Sequence, residues 1–446
     1  MRRLTSVLAW GVLSAAVTSA TPAVELTVLE DGSAAQLTTL GNMELGQGRY
    51  ETAIGHYRKA LQADKSYFWA TYNLGLAYQQ LGQLDEAGQW YGRALTQSPD
   101  HPEVLCNLGW LAWRAGKFQD AADRFQDAAR LSESSPADAA QYWTNAGAAR
   151  EGLKQWEAAG RAYQEALSLD GHSYHAHYNL GTLYLGPLNG MPGAIDRAQT
   201  HLQQAVELSP DRPEAWLNLA QCHEVTGKAD PRIAYDQALA SAVGPYSKML
   251  NQVRWQRALW FKRAIPPQQI AMREELKAIL ADSPDFPSAN GLLGSYYFAI
   301  GEFEKAVTHL EREVAPGHDD RENPIDLESH YLLAVIYADH RPDPAKAIAH
   351  ATAYYQVRPD APKIHELRRR ALRLSAAATG DDAKPKDAPA GETSKHGEAA
   401  HDDKAMGDKP AAEKSGEGHD DKPAAGHAEK SDEHEAPAHA TAGHAE

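Results

Sequence analysis

FWATYNLGLAYQQLGQLDEAGQWYGRALTQSPDH, residues 68–101, decides the fold. Leu74, Gly75 and Tyr78 fall on one helix, and Ala87, Tyr91 and Ala94 on a second. Pro99 ends the second helix, because proline has no backbone N–H to donate and its ring clashes with the preceding turn. Gly75 and Ala87 are small where two helices would cross closely, and Tyr78 and Tyr91 are large enough to fill the space beside that crossing. Outward from this stretch the same residues recur. Gly41, Gly75 and Gly109 are 34 residues apart, and so are Ala53, Ala87 and Ala121, and Ala60, Ala94 and Ala128. A fixed period of this length is the signature of stacked helix–turn–helix units.

The register continues along the chain. Gly147, Ala159, Tyr163 and Ala166 mark a fourth unit after a short insertion around Glu133 to Ala137. Gly181, Tyr184, Ala198, Ala205 and Pro210 mark a fifth, with its inter-helix loop lengthened by GPLNGMPG at 186–193. Leu219, Ala220, Tyr235 and Ala238 give a sixth, Gly294, Tyr297 and Ala306 an eighth, and Leu333, Ala334, Tyr337, Ala347 and Pro359 a ninth. Between 246 and 286 the pattern lapses, but YSKMLNQVRWQRALWFKRAI is apolar at helical spacing and Pro266-Pro267 opens another helix, so this stretch reads as a degenerate seventh unit. The sequence thus resembles the tetratricopeptide repeat family over residues 34–361. That resemblance implies an all-α fold: a right-handed superhelical solenoid of helix–turn–helix repeats. A helix over 362–376, with its run of arginines, suits the polar cap that a terminal repeat needs.

Bulk composition narrows the function. Hydrophobic residues make up 43% of the 446, enough for a packed core, and the formal charge is −16. That acidity argues against nucleic-acid binding, which needs Lys and Arg to neutralise phosphates. The two cysteines, Cys106 and Cys222, are too far apart in sequence for a CxxC motif and read as buried thiols. No GxxxxGK[ST], GxSxG or HExxH motif occurs, and the histidines at 172, 175 and 177 read as structural. The chain is therefore expected not to be an enzyme.

The two ends differ from the middle. Arg2 and Arg3 precede an uncharged stretch, 4–24, whose apolar heart from Val7 to Val17 has the length of a signal-peptide core. Thr18-Ser19-Ala20 offers the small residues of a cleavage site, so residues 1–20 are expected to direct export to the periplasm; the alternative is an uncleaved inner-membrane anchor. From 377 to 446 the chain has no aromatic residue and carries 17 Asp or Glu against 8 Lys. Such a segment buries too little apolar surface to offset its ordering entropy, so a disordered C-terminal tail is expected. It holds His396, His401, His419, His427, His434, His439 and His444. Imidazole beside carboxylate suits zinc, nickel or copper, so a metal-handling tail is the alternative to a plain acidic spacer.

A partner would meet the first helices. Asn73, Asn107, Asn145, Asn179 and Asn218 occupy one place in five consecutive units. An amide side chain both donates and accepts, so it can pair with any peptide backbone, or with a neighbouring helix. The row looks like the asparagine ladder with which superhelical members of this family grip extended peptides. The family's carboxylate clamp is not implied, because Tyr72, Cys106, Thr144, Tyr178 and Leu217 stand where it needs Lys and Arg. Trp69, Tyr72, Trp110, Trp113 and Tyr178 should lie near the same face, and at least two of them are expected to be exposed. The expectation is a non-enzymatic scaffold of the bacterial envelope that holds a protein or extended peptide in its concave groove. Membrane contact is implied only if the N-terminus is uncleaved.

Overall fold

The 34-residue unit resolves into two helices joined by a three-residue turn, α3 (Phe68–Gln80) and α4 (Leu84–Gln97). The turn reverses at Gly82, whose φ of +76° lies in the left-handed region that glycine enters without a Cβ penalty. Gly48, Gly116 and Gly301 repeat it at φ +74°, +72° and +81°, and in the fourth unit Lys154 holds the place at φ +58°.

The computed structural model describes residues 32–132, 134–264, 266–317 and 323–379. The expected signal segment and everything beyond Thr379, including the tail histidines, lie outside them. Among the described residues there are nineteen α-helices and no strand. Before the reference unit come α1 (Ala34–Gly46) and α2 (Tyr50–Ala63). After it come α5 (Pro102–Arg114) with α6 (Phe118–Leu131), α7 (Pro136–Gly152) with α8 (Trp156–Leu169), and α9 (Tyr174–Leu185) with α10 (Ala194–Leu208). The rest are α11 (Pro213–Thr226) with α12 (Pro231–Ser241), α13 (Leu250–Arg263) with α14 (Gln269–Asp282), α15 (Ala289–Ala299) with α16 (Phe303–Glu313), α17 (Pro324–Val335) with α18 (Pro344–Val357), and a final α19 (Pro362–Thr379). Each helix packs on the next, so nine pairs run in tandem and α19 closes the series against α18. The described residues form an all-α solenoid of helix pairs.

Two sequence irregularities have structural forms. The residues of the short insertion expected around Glu133 to Ala137 go into helix. They lengthen α7 to 17 residues, against 13 for α5, and about one extra turn leaves the packing face nearly unrotated. The GPLNGMPG stretch does form a longer turn between α9 and α10, pinned by buried Leu188 in the core of that pair.

The core is built from one contact repeated. Gly75 of α3 lies against the ring of Tyr91 on α4, and Tyr91 is fully buried. Gly41 meets Tyr57, Gly109 meets Phe125, Gly147 meets Tyr163, Gly181 meets Leu202 and Gly294 meets Leu310 in the same way. Each such large side chain removes enough apolar surface from water to contribute about 2–3 kcal/mol. The buried hydroxyls still need partners. Tyr91 donates to Gln79 (2.9 Å), Tyr163 to Glu151 (2.6 Å), Tyr57 to Asn42 (2.8 Å) and Tyr235 to Glu224, all on the first helix of the same pair. In the aberrant seventh pair Ala258, Met272, Leu276 and Ile279 form the core, and Arg257 bridges to Glu275 and to Asp236 of α12. Ionic and apolar contacts there replace the glycine–aromatic pair.

Candidate partner-binding surface

The asparagine ladder is real, but it does not line an open surface. Asn73, Asn107, Asn145, Asn179 and Asn218 are only 2–8% exposed. Each reaches back to the preceding unit. The Nδ2 of Asn73 donates to Asn42 Oδ1 (2.7 Å), that of Asn107 to the Tyr72 hydroxyl (3.1 Å) and that of Asn218 to the Tyr178 hydroxyl (3.3 Å). Asn179 lies beside the Tyr163 hydroxyl, and Asn145 faces the Cys106 sulfur at 4.0 Å. Of the two uses an amide ladder has, these side chains serve the inter-repeat one. The physical reason is burial: an amide shut between helices must pair locally, because an unmatched buried donor costs about 1–3 kcal/mol.

The aromatic candidates divide. Trp69 is 50% exposed, Trp110 and Trp113 are half-buried, and Tyr72 and Tyr178 are buried. Trp110 lies under the Arg114 guanidinium at 5.1 Å, and Trp113 packs edge-on against Phe118. Both also pack on the core formed by α5, α6 and α7, so they close the repeat stack. Trp69 therefore stands out among the five, where two or more exposed rings were expected.

Trp69 does not stand alone. Phe68 stacks parallel on Tyr72 (6.1 Å between centroids, 3°) and meets Trp69 edge-on at 5.1 Å. His101, from the turn into α5, closes the group at 4.5 Å from Phe68 and 5.6 Å from Trp69. The result is a shelf of four rings at the N-terminal end of α3. Three units on, the pattern returns: Tyr174 stacks on Tyr178 (5.7 Å, 7°), with the Arg212 guanidinium over Tyr174 at 5.1 Å and over Tyr246 at 5.6 Å. The Tyr174 hydroxyl donates to Glu214 at 3.2 Å. Phe68, His101, Tyr174, Arg212 and Tyr246 were not singled out in the sequence. One signal was there to find: Phe68 and Tyr174 are separated by three 34-residue periods plus the four residues of the longer α7.

The hydroxyls and the thiol of this surface stay neutral. Burial pushes the Tyr72, Tyr174 and Tyr178 hydroxyls well above the usual phenol range and the Cys106 thiol up to about 12, so none ionises near neutrality. Both cysteines are free and buried. Among the described residues no three His, Cys, Asp or Glu side chains converge as metal ligands. No described helix is long and apolar enough to cross a membrane.

Comparison with known proteins adds a family. Tetratricopeptide repeat models match residues 66–134, 106–174 and 192–231, and a TPR repeat model matches 41–82. Among curated proteins, the chain is 27% identical over 168 residues to anaphase-promoting complex subunit cut9 of Schizosaccharomyces pombe, which covers 37% of this chain and 24% of that protein. It is 27% identical over 216 residues to human protein O-mannosyl-transferase TMTC1 (41% and 24%) and 29% identical over 201 residues to bovine BBSome complex member BBS4 (45% and 37%). The chain thus spans between about a quarter and somewhat over a third of the length of these relatives. Among solved structures, Pseudomonas aeruginosa pilF is 19% identical with a TM-score of 0.40, covering 54% of this chain and 95% of that one. PilW, a type IV pilus biogenesis factor, is 20% identical with a TM-score of 0.41, covering 49% of this chain and 97% of that one.

Proposed function

This chain is a tetratricopeptide repeat protein, and from that premise we propose that it is a non-catalytic scaffold that holds a protein partner on its first helices. The observation that carries this reading is Trp69, half exposed beside Phe68, Tyr72 and His101. Large, rigid aromatic side chains supply most of the energy of protein contacts for little loss of rotamer freedom. The amide ladder holds successive first helices in register, so that the rings form one shelf instead of moving independently. Two relatives, a subunit of the anaphase-promoting complex and a BBSome member, belong by name to multi-protein assemblies, which accords with a scaffold role.

The proposed setting is the bacterial envelope, on the strength of the charged, then apolar, then small-residue order of the first twenty residues. Affinity purification from an envelope fraction tests the proposal. Wild type and Trp69→Ala are compared for the proteins they retain, with circular dichroism confirming equal helicity. A partner retained by wild type and lost with Trp69→Ala is the expected result; identical partners for both proteins contradict it.

A further inference from the structure

Among the described residues, three helix pairs carry a histidine clasp between their two helices. In the fifth pair, His177 of α9 and His201 of α10 bring their Nδ1 atoms to 3.1 Å, and Tyr184 lies parallel to the His201 ring (6.2 Å, 12°). In the ninth pair, His330 and His350 do the same at 3.0 Å, with Tyr337 parallel to His350 (6.1 Å, 8°). In the eighth pair an asparagine takes the first place. His309 Nδ1 lies 2.9 Å from Asn290 Oδ1, and Tyr297 is parallel to His309 (5.6 Å, 14°). The tyrosine follows the first residue by seven positions each time.

The fifth pair fixes its own proton positions. His177 Nε2 sits 3.1 Å from the Gly171 carbonyl, which only accepts, so Nε2 carries the hydrogen. Neutral His177 then has a bare Nδ1, and His201 must donate its Nδ1–H to it. In the eighth pair the Asn290 amide nitrogen is spent on the Pro284 carbonyl at 2.9 Å, so its Oδ1 is the acceptor for His309. In both of these pairs a second-helix histidine donates its Nδ1–H to an acceptor on the first helix.

We propose that the His177–His201 pair is an acid-operated clasp between α9 and α10, closed at neutral pH and opened when both rings carry a proton. The first proton goes to the bare Nε2 of His201 and leaves the bond intact. The second can only go to Nδ1 of His177, which sets two N–H groups head to head and two positive rings side by side. Asn290 cannot be protonated in this range, so the Asn290–His309 clasp keeps its bond when His309 charges. The fold therefore contains its own control.

The surroundings favour neutral rings. Asp170 and His172 face His177 from the turn before α9, with opposite effects. Arg197 of α10 sits over the Tyr184 ring at 5.6 Å. α8 and α11 contribute Tyr163 and Cys222 to the same packed cluster, and α7 packs Ala140 near Ala176. Burial lowers both imidazoles, His201 to about 4. A depressed histidine contributes stability above its ordinary value near 6.5, and that contribution is lost as the pH falls toward the folded value. Because α9 also carries Tyr174 and Tyr178, opening would disturb that part of the aromatic surface; this last consequence alone rests on the proposed partner role.

Hydrogen exchange of the full chain at pH 7.0 and 4.5, corrected for intrinsic rates, tests the clasp. Protection of α9 and α10 should fall about tenfold or more relative to α15 and α16, since one unit of pKa depression is a factor of ten in the opening equilibrium. His177→Asn, which copies the eighth pair, should abolish that difference. Parallel loss in both pairs, or a loss that survives His177→Asn, overturns the proposal. If His177→Asn does not fold, nitrogen NMR of the wild-type imidazoles decides. Hydrogens on His177 Nε2 and His201 Nδ1 at pH 7 support the clasp, and any other arrangement refutes it. Zinc protecting α9 and α10 at pH 7 in wild type, but not in His177→Asn, would also overturn it, in favour of a metal chelate.

Discussion

The ring of Tyr91 occupies the space a side chain at Gly75 would need: a Cβ placed on residue 75 would lie 2.5 Å from Tyr91 Cε1. Gly75→Ala gains about 1 kcal/mol of helix propensity but forces the fully buried ring to move, which costs about 1–3 kcal/mol. The account predicts net destabilisation of about 1–2 kcal/mol, read as a lower denaturant midpoint. Gly92, on the same pair with nothing within 4 Å of its would-be Cβ, is the contrast. Gly92→Ala should stabilise by about 0.5–1 kcal/mol, and a loss there would show that the glycine pattern has another cause.

Lys154 adopts φ +58° where the first, second, third and eighth pairs use glycine. Left-handed backbone at a non-glycine residue costs about 1 kcal/mol. Lys154→Gly should raise the melting temperature without changing helicity; a lower one would mean that the lysine side chain makes a contact worth more than the strain.

Glu151 accepts the Tyr163 hydroxyl, and burial pushes its carboxyl up to about 7. The fold thus favours the neutral acid. Its contribution is complete below the ordinary carboxylate value near 4.5 and is lost as the pH rises through about 7. With partial exposure discounted, the loss is about 1–2 kcal/mol. Urea unfolding at pH 5 and pH 8 should show Glu151→Gln indistinguishable from wild type at the lower pH and more stable at the higher. Equal behaviour at both would refute the assignment.

Asn107 and Asn218 each donate to a tyrosine hydroxyl of the preceding unit. Replacing both with alanine should cost about 1–2 kcal/mol apiece and broaden the unfolding transition, because solenoid stability is a sum over neighbouring interfaces. Helical content at low denaturant should not change. An unchanged midpoint would show that the amides do not couple the repeats.

Much of this was legible in the sequence, for physical reasons. Gly75, Ala87 and Tyr91 recur because close crossing leaves few choices, and Pro99 stops a helix wherever it stands. Even the aberrant seventh pair showed its helical apolar spacing. What spacing alone does not give is direction. Successive residues on a helix point about 100° apart, so the asparagine place could be assigned to the first helix while its side chain turned inward between units. The extra residues before Tyr142 read only as a short insertion, because spacing counts added residues without showing whether they extend a helix or a loop. His201 was invisible as a partner for His177, since the lengthened turn at 186–193 shifts it out of the 34-residue frame.

The central claim is that the partner sits on the first helices, at the Trp69 shelf. A photo-crosslinking amino acid in place of Trp69, compared in living cells with the same group in place of Ile233, tests it most directly. Ile233 is 65% exposed but lies on α12, a second helix. A discrete adduct from position 69 and none from position 233 is the predicted result. No adduct from position 69, or the same adduct from both, would contradict the claim.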